Sequence, residues 1–83
     1  MAKLKKAENF KDPVTAAFYR HFRQLLDDKQ IIWDEFVQHF GKDKQWWWSN
    51  FYNMRSGHRS VTLEQLLTAQ REYKAPVGEW FKK

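Results

Sequence analysis

Three consecutive tryptophans, Trp46, Trp47 and Trp48, limit what this chain can fold into. Consecutive residues of a helix point about 100° apart, so three in a row span too wide an arc to enter one core together. At least one of these rings is therefore expected at the surface. The neighbouring residues carry lysine, arginine, amide and hydroxyl groups, the types that contact base edges and phosphates in nucleic-acid complexes.

The composition favours a small helical protein. The 83 residues fit one domain, and two prolines and three glycines are too few for a multi-stranded sheet with tight turns. Cysteine is absent, which excludes disulfides, thiolate zinc sites and cysteine nucleophiles. The N-terminal stretch lacks the continuous apolar core of a signal peptide, and no apolar run reaches membrane-spanning length. We therefore expect a cytoplasmic protein that does not bind membranes.

Positive charge is concentrated in two segments. The formal net charge of +5 suits a polyanionic partner. Residues 42–59 hold four lysine or arginine side chains against one aspartate, and residues 1–12 hold four lysines against two carboxylates. We expect residues 1–11 to form a flexible basic arm, whose lysines either reach DNA or only keep the chain soluble. Residues 12–83 then form the single folded domain.

Helix-start and helix-stop signals divide that domain into five predicted helices. Asp12-Pro13 opens the first helix, with aspartate as N-cap and proline at the first helical position. Asp43 caps the third, and Thr62 opens the fourth with Gln65 in the capping-box position. Apolar spacing places the helices at about 13–26, 33–40, 44–55, 62–73 and 77–81. The sequence therefore predicts an all-α fold.

The order and spacing of these elements resemble the lambda-repressor-like (Cro/XRE-type) helix-turn-helix DNA-binding domain family. Residues 34–41, DEFVQHFG, are similar to the second helix of the family and the glycine after it. Residues 55–67, RSGHRSVTLEQLL, resemble the stretch that follows the recognition helix. Residues 77–81, VGEWF, resemble the closing helix. The resemblance covers residues 22–81 and implies a five-helix lambda-repressor-like fold.

The resemblance implies a sequence-specific transcriptional regulator, in the first place a repressor, whose third helix lies in the major groove of double-stranded DNA. Two copies would bind an inverted-repeat operator as a homodimer, with half-sites about one helical turn apart. The chain departs from the family pattern at Ile32 and Trp33, where a small cap and a glutamine are usual, and at Arg55, where an acidic residue is common. The interval from Gly41 to Gly57 is about one helical turn longer than usual, which lengthens either the third helix or the turn before it.

The candidate DNA contacts fall into groups by their chemistry. Amide and hydroxyl side chains can hydrogen-bond to base edges; the candidates are Gln45, Ser49, Asn50 and Asn53. Cationic side chains can bind phosphates and make affinity depend on salt; the candidates are Lys42, Lys44, Arg55, His58 and Arg59. The alternative for both groups is an ordinary solvated surface. Trp46 and Trp48 lie either at the core edge or at the surface, whereas Trp47 is spaced with Phe51 and Met54 to face the core.

Two further groups of residues have two readings each. Val77, Trp80 and Phe81 are candidate dimer contacts, or else their side chains cap the core of one monomer. The Trp46 and Trp48 surface contacts DNA, or else it grips a protein partner. In the second case the chain is a protein-interaction module, such as an antitoxin-like or anti-regulator protein.

We expect no enzyme activity, no metal site and no cofactor. The three histidines lie on different predicted elements without metal-ligand spacing. The acidic pairs are adjacent in sequence, so their carboxylates point apart on a helix. The chain also lacks a glycine-rich phosphate loop.

Overall fold

A computed structural model describes residues 8–82, and this part of the chain is all-α, with five helices and no strand. The helices are α1 (Pro13–Asp27), α2 (Trp33–Phe40), α3 (Lys44–Arg55), α4 (Leu63–Tyr73) and α5 (Val77–Trp80). The all-α prediction is confirmed, and each helix lies within a residue or so of its predicted position. None of the helices in residues 8–82 combines the length and the apolarity needed to cross a bilayer.

The predicted caps begin three of the helices. Asp12 accepts a hydrogen bond from the Thr15 N–H at 2.7 Å, and Asp43 accepts one from the Trp46 N–H at 2.8 Å. Thr62 and Gln65 form a reciprocal capping box with two bonds of 3.0 Å. Each bond satisfies a backbone N–H that has no partner within its own helix, and a cap of this kind stabilises a helix by about 1 kcal/mol.

The core is a cluster of aromatic rings contributed by all five helices. α1 packs on α3 and α5, α2 packs on α3 and α4, and α4 packs on α5. The rings meet mainly edge-on or tilted, as between Phe36 and Trp47 at 4.9 Å and 81°. Such pairs contribute about 0.5–1.5 kcal/mol beyond their buried area. The fully buried large apolar side chains are Phe18, Phe22, Phe36, Trp47, Phe51 and Met54.

The predicted N-terminal arm is too long, because residues 8–11 pack on the domain. The Asn9 N–H donates to the Arg55 carbonyl oxygen at 2.8 Å. Phe10 is half-buried, with its ring centroid 5.2 Å from that of Tyr19. The folded domain therefore begins before residue 12. Local sequence does not reveal this, because the anchor of residues 8–11 is the distant end of α3. Residues 1–7, which hold the other arm lysines, lie outside the described part.

Two of the three candidate dimer contacts lie in the core of the monomer. Val77 and Trp80 are each only 7% exposed. The Trp80 ring lies 5.5 Å from the His21 ring and 6.4 Å from the Phe18 ring. Burial against these rings lowers the pKa of His21. The short α5 therefore closes the core, and of the three residues only Phe81, at 60% exposed, remains at the surface.

Candidate nucleic-acid interface

A turn of three residues, 41–43, joins α2 to α3. Gly41 and Lys42 both have positive φ values, +86° and +67°, which turn the chain sharply after α2. The Trp47 indole N–H donates to the Gly41 carbonyl oxygen at 2.9 Å, so the buried ring also anchors the turn. α2 and α3 are thus two short helices joined by a tight turn that contains glycine. Most of the interval between Gly41 and Gly57 therefore belongs to α3, which has 12 residues, and only residues 42 and 43 of it belong to the turn before the helix.

The outward face of α3 carries three polar side chains in a row. Gln45, Ser49 and Tyr52 are all exposed and follow the i, i+4, i+7 spacing of one helix face. Gln45 and Ser49 were among the predicted base contacts, and the structure places both at the surface. Tyr52, which is 61% exposed, was not among them. Its position seven residues after Gln45 is the signal that could have identified it.

Asn50 does not lie on this face, and its prediction as a base contact is wrong for the folded domain. Its side chain is 1% exposed, and its Oδ1 accepts a hydrogen bond from Arg59 Nη1 at 3.3 Å. Its Nδ2 is buried without a hydrogen-bond partner among the described residues. Asn50 follows Trp47 by three residues and precedes Met54 by four, so it belongs to the inner face of α3. Asn53 is half-buried at the edge of the helix.

One flank of α3 is formed by Trp46 with two cations on it. The ring is half-buried, with its centroid 5.1 Å from that of Trp47 and the planes 79° apart. Lys42 Nζ lies 5.5 Å from the Trp46 ring centroid, and Arg59 Cζ lies 5.7 Å from it. Both distances are within the range of a cation–π interaction. Both cations were predicted phosphate contacts, but their shared contact with the Trp46 ring was not predicted.

The other flank is formed by Trp48, which is 50% exposed and stacks on Trp33 of α2 at 5.8 Å and 21°. Arg23 of α1 lies over Trp48, with Cζ 5.0 Å from the ring centroid. Lys44 Nζ lies 5.8 Å from the Trp33 ring centroid. Sequence reasoning missed Arg23 and Trp33, because they belong to other helices and nothing local connects them to Trp48.

The cations around α3 are available to bind an anion. Residues 8–82 contain eleven lysines and arginines, of which four form ion pairs and seven do not. Four of those seven lie on or next to α3, namely Lys42, Lys44, Arg55 and Arg59. His58 is exposed after the helix, with Nδ1 3.0 Å from Ser56 Oγ. Lys42, Lys44 and Arg59 are exposed and Arg55 is half-buried, and cations that form no ion pair can replace the counterions of a polyanion.

This surface therefore has exposed side chains that can form hydrogen bonds along its middle and cations on both sides of them. The hydrogen-bonding groups lie along one helix, and the cations lie where they can reach charged groups on either side.

A comparison of the chain with protein-family models, curated proteins and solved structures found no match.

Proposed function

We propose that this chain is a helix-turn-helix DNA-binding domain of the lambda-repressor-like kind, and that it reads the major groove of double-stranded DNA with α3. The observation that supports this most is the outward face of α3, with Gln45, Ser49 and Tyr52 between two cationic flanks. Phosphate contacts position a protein on a duplex, and base contacts select the sequence. The face and the flanks of α3 have these two chemistries.

The size of α3 suits a major groove. Its 12 residues give a rod about 18 Å long. The groove is about 12 Å wide and admits one helix. The tight turn at 41–43 keeps α2 beside α3 without covering the outward face. An inserted α3 would therefore keep both flanks close to the phosphate backbones.

We assign different roles to the face and to its surroundings. Gln45 can bond to adenine through its amide, Ser49 can bond to several bases, and Tyr52 adds a hydroxyl and an apolar ring. Asn53 lies at the edge of the face and contacts a sugar or phosphate. The predicted phosphate contacts stay as proposed roles; they are Lys42, Lys44, Arg55, His58 and Arg59. Asn50 is excluded from direct contact because it is buried.

We propose that the domain regulates transcription by occupying an operator, as a repressor that blocks polymerase. Helix-turn-helix domains commonly bind as dimers to half-sites about one helical turn apart. Because Val77 and Trp80 are buried within the monomer, a dimer contact at this end would rest on the exposed Phe81. A homodimer on an inverted repeat is the expected arrangement.

The test is a selection of bound duplexes from a random-sequence pool at two salt concentrations, followed by sequencing. Binding that falls with salt and enriches a short inverted repeat supports the whole proposal. Salt-dependent binding without enrichment would leave only a non-specific DNA binder. Failure to bind any duplex at low salt would overturn the proposal.

Matched variants then test whether α3 is the reader. Gln45→Ala removes an exposed amide from α3, and Gln70→Ala removes the same group from the exposed side of α4. We expect only Gln45→Ala to change the selected sequence, because it should lower the discrimination between bases at one base pair by about 1–3 kcal/mol. Arg55→Ala should weaken binding to every duplex and reduce the salt slope by about 1. Equal effects of both glutamine substitutions would show that α3 does not read the bases.

A second candidate function is a protein-interaction module, which the exposed apolar side chains of this region favour. Trp48 is 50% exposed, and Ile32, next to its stacking partner Trp33, is 59% exposed. An exposed tryptophan with aliphatic and aromatic neighbours is typical of the centre of a protein interface. In this case Trp48→Ala abolishes capture of a partner, whereas Gln45→Ala and Arg55→Ala have little effect.

A further inference from the structure

We infer that Trp46 and Trp48 are positioning residues that hold cations on opposite flanks of α3, so that each flank binds one of the two phosphate backbones bordering a major groove. Arg23 of α1 thereby becomes a phosphate contact. The inference rests on the proposed DNA-binding function and explains why three tryptophans stand in a row.

Helix geometry places the two rings on opposite sides. Trp47 points into the core and is fully buried. Its neighbours emerge about 100° to either side of it, so one ring lies on each flank of the outward face. The triple tryptophan therefore consists of one inner anchor and two lateral supports. A single tryptophan at 46 or 48 would support only one side of α3.

The Trp46 flank holds its cations before any ligand arrives. Lys42 and Arg59 approach this ring from the turn before α3 and from the loop after it. The guanidinium of Arg59 is also held by the buried oxygen of Asn50. Asn50 is thus a positioning residue for a phosphate contact, in place of the base reader predicted from the sequence. Long cationic side chains lose rotamer freedom on binding, and cations that are already held lose less.

The Trp48 flank combines a cation of α1 with a cation from the first turn of α3. Arg23 of α1 lies on Trp48, and Lys44 lies on Trp33, which stacks against Trp48. Arg23 also forms an ion pair with Asp27, with Nη2 3.4 Å from Oδ1. The Arg23 side chain is 22% exposed and the Asp27 side chain is 63% exposed, and with a separation of 3.4 Å the pair is weak, so Asp27 does not prevent a phosphate from binding the exposed part of Arg23. Removing the charge of Asp27 therefore provides a test in which DNA binding is expected to become stronger.

The experiment is a double-mutant cycle between Arg23→Ala and Trp48→Leu, with duplex binding measured by fluorescence anisotropy over a series of KCl concentrations. The probe is a random-sequence duplex, because phosphate contacts do not depend on sequence, and the KCl series begins at low salt. Arg23→Ala should weaken binding and reduce the salt slope by about 0.9, the value for one phosphate. Trp48→Leu removes no charge, yet it should weaken binding because Arg23 loses its support.

The coupling between the two changes decides the inference. If Trp48 acts through Arg23, the double variant binds more tightly than the product of the single effects predicts, by a factor of about 3 to 10. Asp27→Asn frees Arg23 and should strengthen binding. Lys82→Ala changes the net charge as Arg23→Ala does, but lies after α5, which packs on α1 and α4. It should leave the salt slope unchanged.

Additive effects in the cycle, or the same salt slope in Arg23→Ala and Lys82→Ala, would overturn the inference. Thermal unfolding of each variant shows that the domain is folded at the assay temperature. If Arg23→Ala is not folded, Arg23→Gln replaces it in the cycle and keeps the length of the side chain. A parent chain that binds no duplex at low salt refutes the proposed function itself. A parent that binds DNA with an additive cycle refutes only the role of the flank.

Discussion

Replacing Gly57 with alanine tests how the segment before α1 is joined to the loop after α3. Gly57 has φ +87°, and a Cβ atom placed on it would lie 2.5 Å from the Asn9 carbonyl oxygen. The positive φ costs an alanine about 1–3 kcal/mol. The overlap forces Asn9 to move, which endangers its 2.8 Å hydrogen bond to the Arg55 carbonyl oxygen, worth about 1 kcal/mol. We expect Gly57→Ala to reduce the free energy of unfolding by about 2–4 kcal/mol.

The other two glycines separate backbone strain from steric overlap. Gly41 has φ +86° with nothing within 4 Å of an added Cβ, so Gly41→Ala should cost the strain alone, about 1–3 kcal/mol. Gly78 lies in α5 without a positive φ and also has open space around it. Gly78→Ala should be neutral or raise stability by about 0.5–1 kcal/mol.

The assay is urea denaturation followed by tryptophan fluorescence, in which a lower midpoint at constant slope reports lost stability. A loss of about 3 kcal/mol also lowers the melting temperature of a domain this small by about 12–24 °C. Deleting residues 1–9 removes the Asn9 carbonyl oxygen that the added Cβ would contact. In the shortened chain Gly57→Ala should therefore cost no more stability than Gly41→Ala. If Gly57→Ala and Gly41→Ala are equally costly in the full chain, Asn9 does not pack against Gly57.

Three further predictions concern the turn, a cap and a helix end. Trp47→Phe leaves the Gly41 carbonyl without its indole donor and should lower the free energy of unfolding in urea by about 2–4 kcal/mol; a loss below about 1 kcal/mol would contradict this anchor. Burial alone would raise the pKa of Asp12, but its hydrogen bonds hold the pKa below the usual value. The contribution of the Asp12 carboxylate to stability is therefore present above pH about 4 and is lost as the pH falls below that. Asp12→Asn should make the melting temperature depend less on pH in that window. Lys74 ends α4 in the left-handed region at φ +55°, so Lys74→Gly should raise stability by about 0.5–1 kcal/mol, and an unchanged midpoint would count against strain there.

The helices and most of the core could be predicted from the sequence, because the signals for them are local. The Asp12-Pro13 start, the Asp43 cap and the capping box at Thr62 each act within one helical turn. The i, i+4, i+7 spacing of Trp47, Phe51 and Met54 places them on one buried face. Such patterns need no knowledge of what packs against the helix.

Other features depended on which helices meet, and only the tertiary structure decided them. Arg23 and Trp48 are far apart in the chain, and they meet because α1 packs beside α3. Val77 closes the core because α5 folds back on α1 and α4, although an apolar residue there fits an interface equally well in sequence. Local spacing places Asn50 on the inner face of α3 with Trp47 and Met54, but only the tertiary structure shows that this polar side chain is buried and bonded to Arg59. Local patterns determine which face a residue occupies, whereas the neighbours that cover that face come from distant parts of the chain.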